Sequence, residues 1–135
     1  FRYSGVDPSN PLGNISCNDP LAPSAQITAK TSTTQPNSLL FTTVTTHGYN
    51  INPGELFTLR NSSKSGNSRN SVGVTVFDQA FYQSTKDLEI SASAQSATEW
   101  SLISAEIIAD RNKPKNIMRH GKWFNNQGFK QPYNL

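Results

Sequence analysis

The sequence predicts a mainly β protein, an antiparallel β-sandwich, on three observations. Ser, Thr and Asn number 17, 12 and 14 of 135 residues. These types favour turns, edges and exposed strand faces over helix interiors. Hydrophobic residues make up only 34% of the chain, so a thin core between two sheets fits better than a helical bundle. Several stretches alternate apolar and polar side chains with the period of two that a half-buried strand requires. At this length one folding unit is expected. Along the chain we expect an extended arm over 1–23, the sandwich over 24–110 and a basic aromatic tail over 111–135.

The elements follow in order. "FRYSGVDPSNPLGNISCNDPLAPSAQ" carries Pro8, Pro11, Pro20 and Pro23. Proline fixes φ and removes a ladder donor, so this arm should be irregular and draped over a neighbouring surface. "AQITAKTST" reads as a first short strand, and "NSLLFTTVTTHGY" as the next, rich in β-branched and aromatic residues. "NPGE" at 52–55 has Pro second and Gly third, a type II turn pattern. "LFTLRN" is a strand. "NSSKSGNSRN", residues 61–70, is a polar crossing. "SVGVTVFDQAFY" is the clearest strand, with Val72, Val74 and Val76 on one face, and "DLEISAS" is another.

"SATEWSLISAEIIADRNKPK" reads two ways. As a helix, Ser96 is an N-cap and Glu99 completes a capping box, with Pro114 after a basic end. As a strand, Ile103, Ala105, Ile107 and Ala109 line one face, with Trp100 and Leu102 beginning the other. The apolar residues wrap too far round for a clean amphipathic helix. A strand is therefore favoured, and an α+β arrangement with a helix near 97–110 is the alternative.

Net charge is +3 and unevenly placed. Residues 1–109 hold six basic and eight acidic side chains, and 110–135 hold six basic and one acidic, so the balance runs from −2 to +5. Such asymmetry suits an interaction tail. The candidate partner-binding residues there are Arg111, Lys113, Lys115, Arg119, Lys122, Trp123, Phe124, Phe129 and Tyr133. Cations among aromatics also suit nucleic acid. The charge is modest for that role, so nucleic acid ranks below a protein partner. Cys17 is the sole cysteine. It permits no intrachain disulfide and no multi-cysteine zinc site, and we expect it buried or paired between chains. No run of roughly 18 apolar residues exists to span a membrane. A first residue of Phe1 leads us to expect a processed product or an excised domain.

Candidate chemistry is sparse. His47 and His120, with Lys122 or Arg119, could act as acid and base on a phosphodiester, but their spacing encodes nothing specific. No phosphate-binding loop, G-x-S-x-G or H-E-x-x-H is present. Asp78, Asp87 and Glu89 could bind calcium through oxygen, and exposed acids on strand ends account for them as well. Asn14-Ile15-Ser16 and Asn61-Ser62-Ser63 match the glycosylation acceptor pattern. We expect no catalytic residues, no metal and no cofactor.

From Tyr49 to Ile108 the succession "NPGELFTLRNSSKSG", "VGVTVFDQAFY" and "ATEWSLISAEI" resembles galactose-binding-like jelly rolls, a group with many carbohydrate-binding modules and virion or tail appendage domains. The resemblance implies a jelly-roll sandwich in which 61–70 crosses between the sheets and Trp100 begins the last strand. Sugar recognition needs flat rings with amides and carboxylates. Tyr49, Tyr82 and Trp100 are the candidate rings, and Asn50, Gln79 and Asp78 the candidate polar partners. Core packing is the competing role for Trp100.

The favoured expectation is a non-enzymatic structural or attachment subunit of a capsid, tail or surface filament. It would associate with itself or another subunit through its terminal arms, outside the cell or on a virion surface. The alternatives are an extracellular glycan-binding module and a small phosphodiester-cleaving enzyme using the two histidines.

Overall fold

The computed structural model describes residues 3–66, 68, 70–110 and 118–119. Alternation in the sequence becomes ten strands: β1 Tyr3–Ser4, β2 Leu12–Asn18, β3 Ser24–Thr31, β4 Ser38–His47, β5 Ile51–Pro53, β6 Thr58–Lys64, β7 Val72–Phe81, β8 Leu88–Thr98, β9 Trp100–Ile107 and β10 Met118–Arg119. Five of them form one antiparallel sheet in the order β2-β9-β4-β7-β6. Three form a second, β3-β8-β5, and β1 pairs with β10 as a short ribbon. The protein is an antiparallel β-sandwich, and no helix occurs among the described residues.

The core lies between the two main sheets. Ile27, Ala29, Ile51, Leu88, Ile90 and Ala92 of the three-stranded sheet meet Leu40, Val44, Phe77, Trp100 and Leu102 of the five-stranded one. Phe57 closes one side against Phe77, edge to face at 5.3 Å between ring centroids. The helix considered near 97–110 does not form. Residues 100–107 are β9, with Trp100, Leu102, Ser104 and Glu106 buried and Ser101, Ile103, Ala105 and Ile107 facing out. Buried and outward side chains in strict alternation satisfy a strand, whereas a helix would bury a stripe with a period of 3.6.

The polar stretch 61–70 does not cross between sheets. Residues 61–64 belong to β6, which pairs antiparallel with β7 in the same sheet, Ser63 opposite Val74 and Lys64 opposite Gly73. The β6–β7 hairpin is the one connection between successive strands from β2 to β9 that stays within a sheet. Sheets change instead at places such as Glu99, the single residue between β8 and β9. The turn expected at 52–55 falls two residues later. Asn52 and Pro53 still pair with β8, and the Phe57 amide donates to the Gly54 carbonyl at 2.9 Å.

The segment 1–23 is not wholly an arm. Residues 12–18 pair with β9, with a bulge between Leu12 and Ile15 that takes up Gly13 and Asn14. Residues 3–7 fold back on this chain's own sheet: Tyr3 and Val6 pack with Leu39, Phe41, Ile107 and Ala109. Cys17 is exposed, not buried. It points away from the core because its neighbour Ser16 faces inward and bonds Ser104 at 2.6 Å.

Val72 and Val74 also face outward, while Thr75 and Phe77 supply the core side of β7. A buried carboxylate ties the far end together. Glu106 accepts backbone bonds from Asn14 at 3.1 Å, Thr34 at 2.8 Å and Gln35 at 3.0 Å, and the Thr34 hydroxyl at 2.8 Å.

Candidate functional site

The site is built where β4 ends and β7 begins. Gly48, at φ 75°, takes the left-handed conformation that lets the chain leave β4 sharply. Its amide donates to the Ser71 carbonyl at 2.6 Å. The Thr46 hydroxyl donates to the Tyr49 carbonyl at 2.5 Å, and the Ile51 amide to Thr75 Oγ1 at 3.2 Å. Gly73 completes the fit, since a Cβ there would collide with the Tyr49 carbonyl and the Thr46 hydroxyl. The 48–51 connection is therefore held at both ends, and Tyr49 stands half-buried between two clefts.

The larger cleft, about 570 Å³, opens at the end of the sandwich. Tyr49 and Asn50 form one wall, Asn52 of β5 and Gln95 of β8 another, and Lys64 of β6 with Ser68 the third. The smaller, about 450 Å³, lies on the other side of Tyr49, between Pro23 and the 96–99 segment. His47 and Glu99 stand there, Nδ1 to Oε2 at 3.5 Å, both well exposed. Thr98 Oγ1 donates to the His47 carbonyl at 2.9 Å and so fixes the β8–β9 crossing to the end of β4. Three amides offer donors and acceptors side by side, one lysine supplies positive charge, and one ring supplies a flat apolar surface.

The six expected ligand residues do not converge, and Gln79 lies in β7 opposite Leu40, away from the clefts. Tyr49 and Asn50 share the larger cleft. Trp100 lies at the same end but inside the core, 6% exposed, and its indole N–H has no partner among the described residues. Asp78 is buried on the outer side of the five-stranded sheet. Its carboxylate accepts Tyr3 Oη at 3.0 Å and Arg60 Nε at 2.7 Å. Tyr82 is exposed past the far end of β7. Because His47 pairs with Val72 and Ser38 with Phe81, Tyr82 stands a strand length of roughly 30 Å from Tyr49.

The tail candidates Arg111, Lys113, Lys115, Lys122, Trp123, Phe124, Phe129 and Tyr133 lie outside the described residues, as does His120. Arg119 is described only through its backbone in β10. No group of three or more His, Cys, Asp or Glu among the described residues is placed to hold a metal ion. No described helix is long and apolar enough to cross a membrane.

Asn52, Lys64 and Gln95 were not read from the sequence as site residues. Asn52 sat in an assumed turn and Lys64 in an assumed crossing, so neither had a strand face from which to point. Comparison with protein-family models, curated proteins and solved structures finds no match.

Proposed function

We propose that the protein is a non-enzymatic binding module that takes a glycan in the cleft beside Tyr49, acting outside the cell. One observation carries the reading: half-buried Tyr49, its backbone carbonyl held by the Thr46 hydroxyl, borders a cleft that also presents Asn50, Asn52, Gln95 and Lys64. Sugars offer a C–H face for stacking and hydroxyls in pairs, and this wall supplies a ring for the first and amides for the second. Lys64 extends the range to glycans bearing carboxylate or sulfate. Calorimetric titration against a panel of neutral and acidic oligosaccharides tests it. Tyr49→Ala should weaken binding about tenfold or more, and Tyr82→Ala, at the opposite end, should leave it unchanged. Binding that survives Tyr49→Ala and disappears with Tyr82→Ala would place the site elsewhere.

A second reading has one observation in its favour. A structural or attachment subunit needs a surface for its neighbour, and the outer face of the five-stranded sheet leaves Ile15 and Ile103 more than half exposed. Particle mass in solution tests it, since a monomer at all concentrations rules out self-assembly.

A further inference from the structure

Tyr49 borders both clefts at the end of the sandwich. Their other walls also run on from one to the next. Gln95 lines the larger cleft and its neighbour Ser96 the smaller, while Gly48 lines the larger and His47 the smaller. The strand register gives the span of the pair. Lys64 stands opposite Gly73, Gly73 opposite Thr46, and Thr46 opposite Trp100, the residue after Glu99. Lys64 and Glu99 are therefore about three strand spacings apart, roughly 14 Å across the end of the five-stranded sheet. Asn50, Asn52, Gln95 and Ser96 are exposed between them.

Resting on the glycan reading, we propose that the two clefts are halves of one groove. It takes an extended oligosaccharide of about three or four sugars, acidic at the Lys64 end and uncharged at the Glu99 end. Size is the first support. At about 570 and 450 Å³, each cleft falls within the range of roughly 300–1,000 Å³ that suits a small molecule. Each half has room for a sugar or two, and a longer chain must pass Tyr49 to fill both.

The place of Tyr49 is the second support. Its backbone is fixed from both sides, by the Thr46 hydroxyl on its carbonyl and by the bond from the Gly48 amide to Ser71. A residue held there costs little further entropy when a sugar packs against it midway along the groove. Charge is the third. Lys64 is the one charged side chain among the described residues lining the larger cleft, and Glu99 the one carboxylate lining the smaller, where it lies 3.5 Å from His47. An acidic sugar is attracted at the first end and repelled at the second, so the charges set the direction of the chain and disfavour a glycan acidic throughout. The amides of Asn50, Asn52 and Gln95 and the hydroxyl of Ser96 serve the sugar hydroxyls in between.

The test is calorimetric titration of the full chain with tetrasaccharides carrying one terminal carboxylate or sulfate, with their neutral counterparts, and with the disaccharides that form their two halves. The best acidic tetrasaccharide should bind about tenfold or more tightly than its acidic disaccharide, because joining two weakly held halves makes the second contact intramolecular. His47→Ala/Glu99→Ala should erase that advantage of length, and Lys64→Met should erase the preference for the acidic tetrasaccharide over the neutral one. All three side chains are exposed, so both variants should keep the parent's circular-dichroism spectrum. An acidic disaccharide that binds as tightly as the tetrasaccharide overturns the single groove and leaves the glycan reading standing. A length advantage that persists in His47→Ala/Glu99→Ala also overturns it. If no sugar of any length or charge binds, the glycan reading fails and the groove with it.

Discussion

Replacing Glu106 with glutamine should destabilise the protein by about 3 kcal/mol at neutral pH. The side chain is fully buried and accepts three backbone amides and one hydroxyl. Burial alone would raise its pKa. The amides of Thr34, Asn14 and Gln35 and the Thr34 hydroxyl outweigh that, and the carboxyl is held below its ordinary range. Glutamine keeps one acceptor oxygen and turns an NH₂ toward the remaining donors. If that oxygen serves Thr34 and Gln35, the Asn14 amide loses its partner and meets another donor. One lost charge-assisted bond at about 1.5–3 kcal/mol, plus weakening of the others, gives the figure.

The assay is urea unfolding followed by far-ultraviolet circular dichroism. With a slope of about 1–3 kcal/mol per molar, the midpoint should fall by roughly 1–3 M. Acid supplies the second arm. Because the folded pKa is lowered, the carboxylate's contribution is complete above the unfolded value of about 4.3 and is lost as pH falls through the folded one. The gap between parent and Glu106→Gln should therefore narrow in acid. Midpoints within about 0.3 M at neutral pH, or a gap that stays constant in acid, would refute the reasoning.

Two further outcomes follow from contacts already described. Arg60→Met strips the guanidinium from Asp78, whose side chain is 1% exposed, and should cost about 3 kcal/mol. The double change Arg60→Met/Asp78→Leu should cost less than the single one, and a larger cost in the same urea assay would contradict the pairing. Gly73→Ala pushes a methyl into the Tyr49 carbonyl. We expect a loss of about 1–3 kcal/mol, or roughly 3–12 °C in Tm, together with weakened glycan binding; an unchanged Tm by calorimetry would show that the 48–51 connection yields freely.

Sequence alternation located β3, β4, β7 and β9 well, because each has an unbroken run of β-branched or apolar residues at period two. It could not say which face of β7 was inside. The outer face is itself partly covered by Tyr3 and Val6, so both faces carry apolar residues. β2 escaped detection because its bulge at Gly13–Asn14 shifts Leu12 out of phase with Ile15 and Cys17. β6 was read only in its first half, as "LFTLRN", because it is an edge strand whose residues 61–64 are all polar. Of the site, Tyr49 and Asn50 were legible as a ring and an amide after a strand end. Their neighbours Asn52, Lys64 and Gln95 come from three different strands. Only the tertiary arrangement brings them together, as it brings Asn14 and Thr34 to Glu106.

The connections between strands constrain how the molecule can come into being. Only β6 and β7 can close on one another locally. Every other partnership within the two main sheets waits for chain made later or earlier, and β2 near the start needs β9, some ninety residues on. A ribosome must therefore deliver nearly the whole body before either sheet is complete, leaving half-made edges exposed to other nascent chains. Folding should be slow for the chain's size, and chaperone dependence during synthesis is the expected consequence.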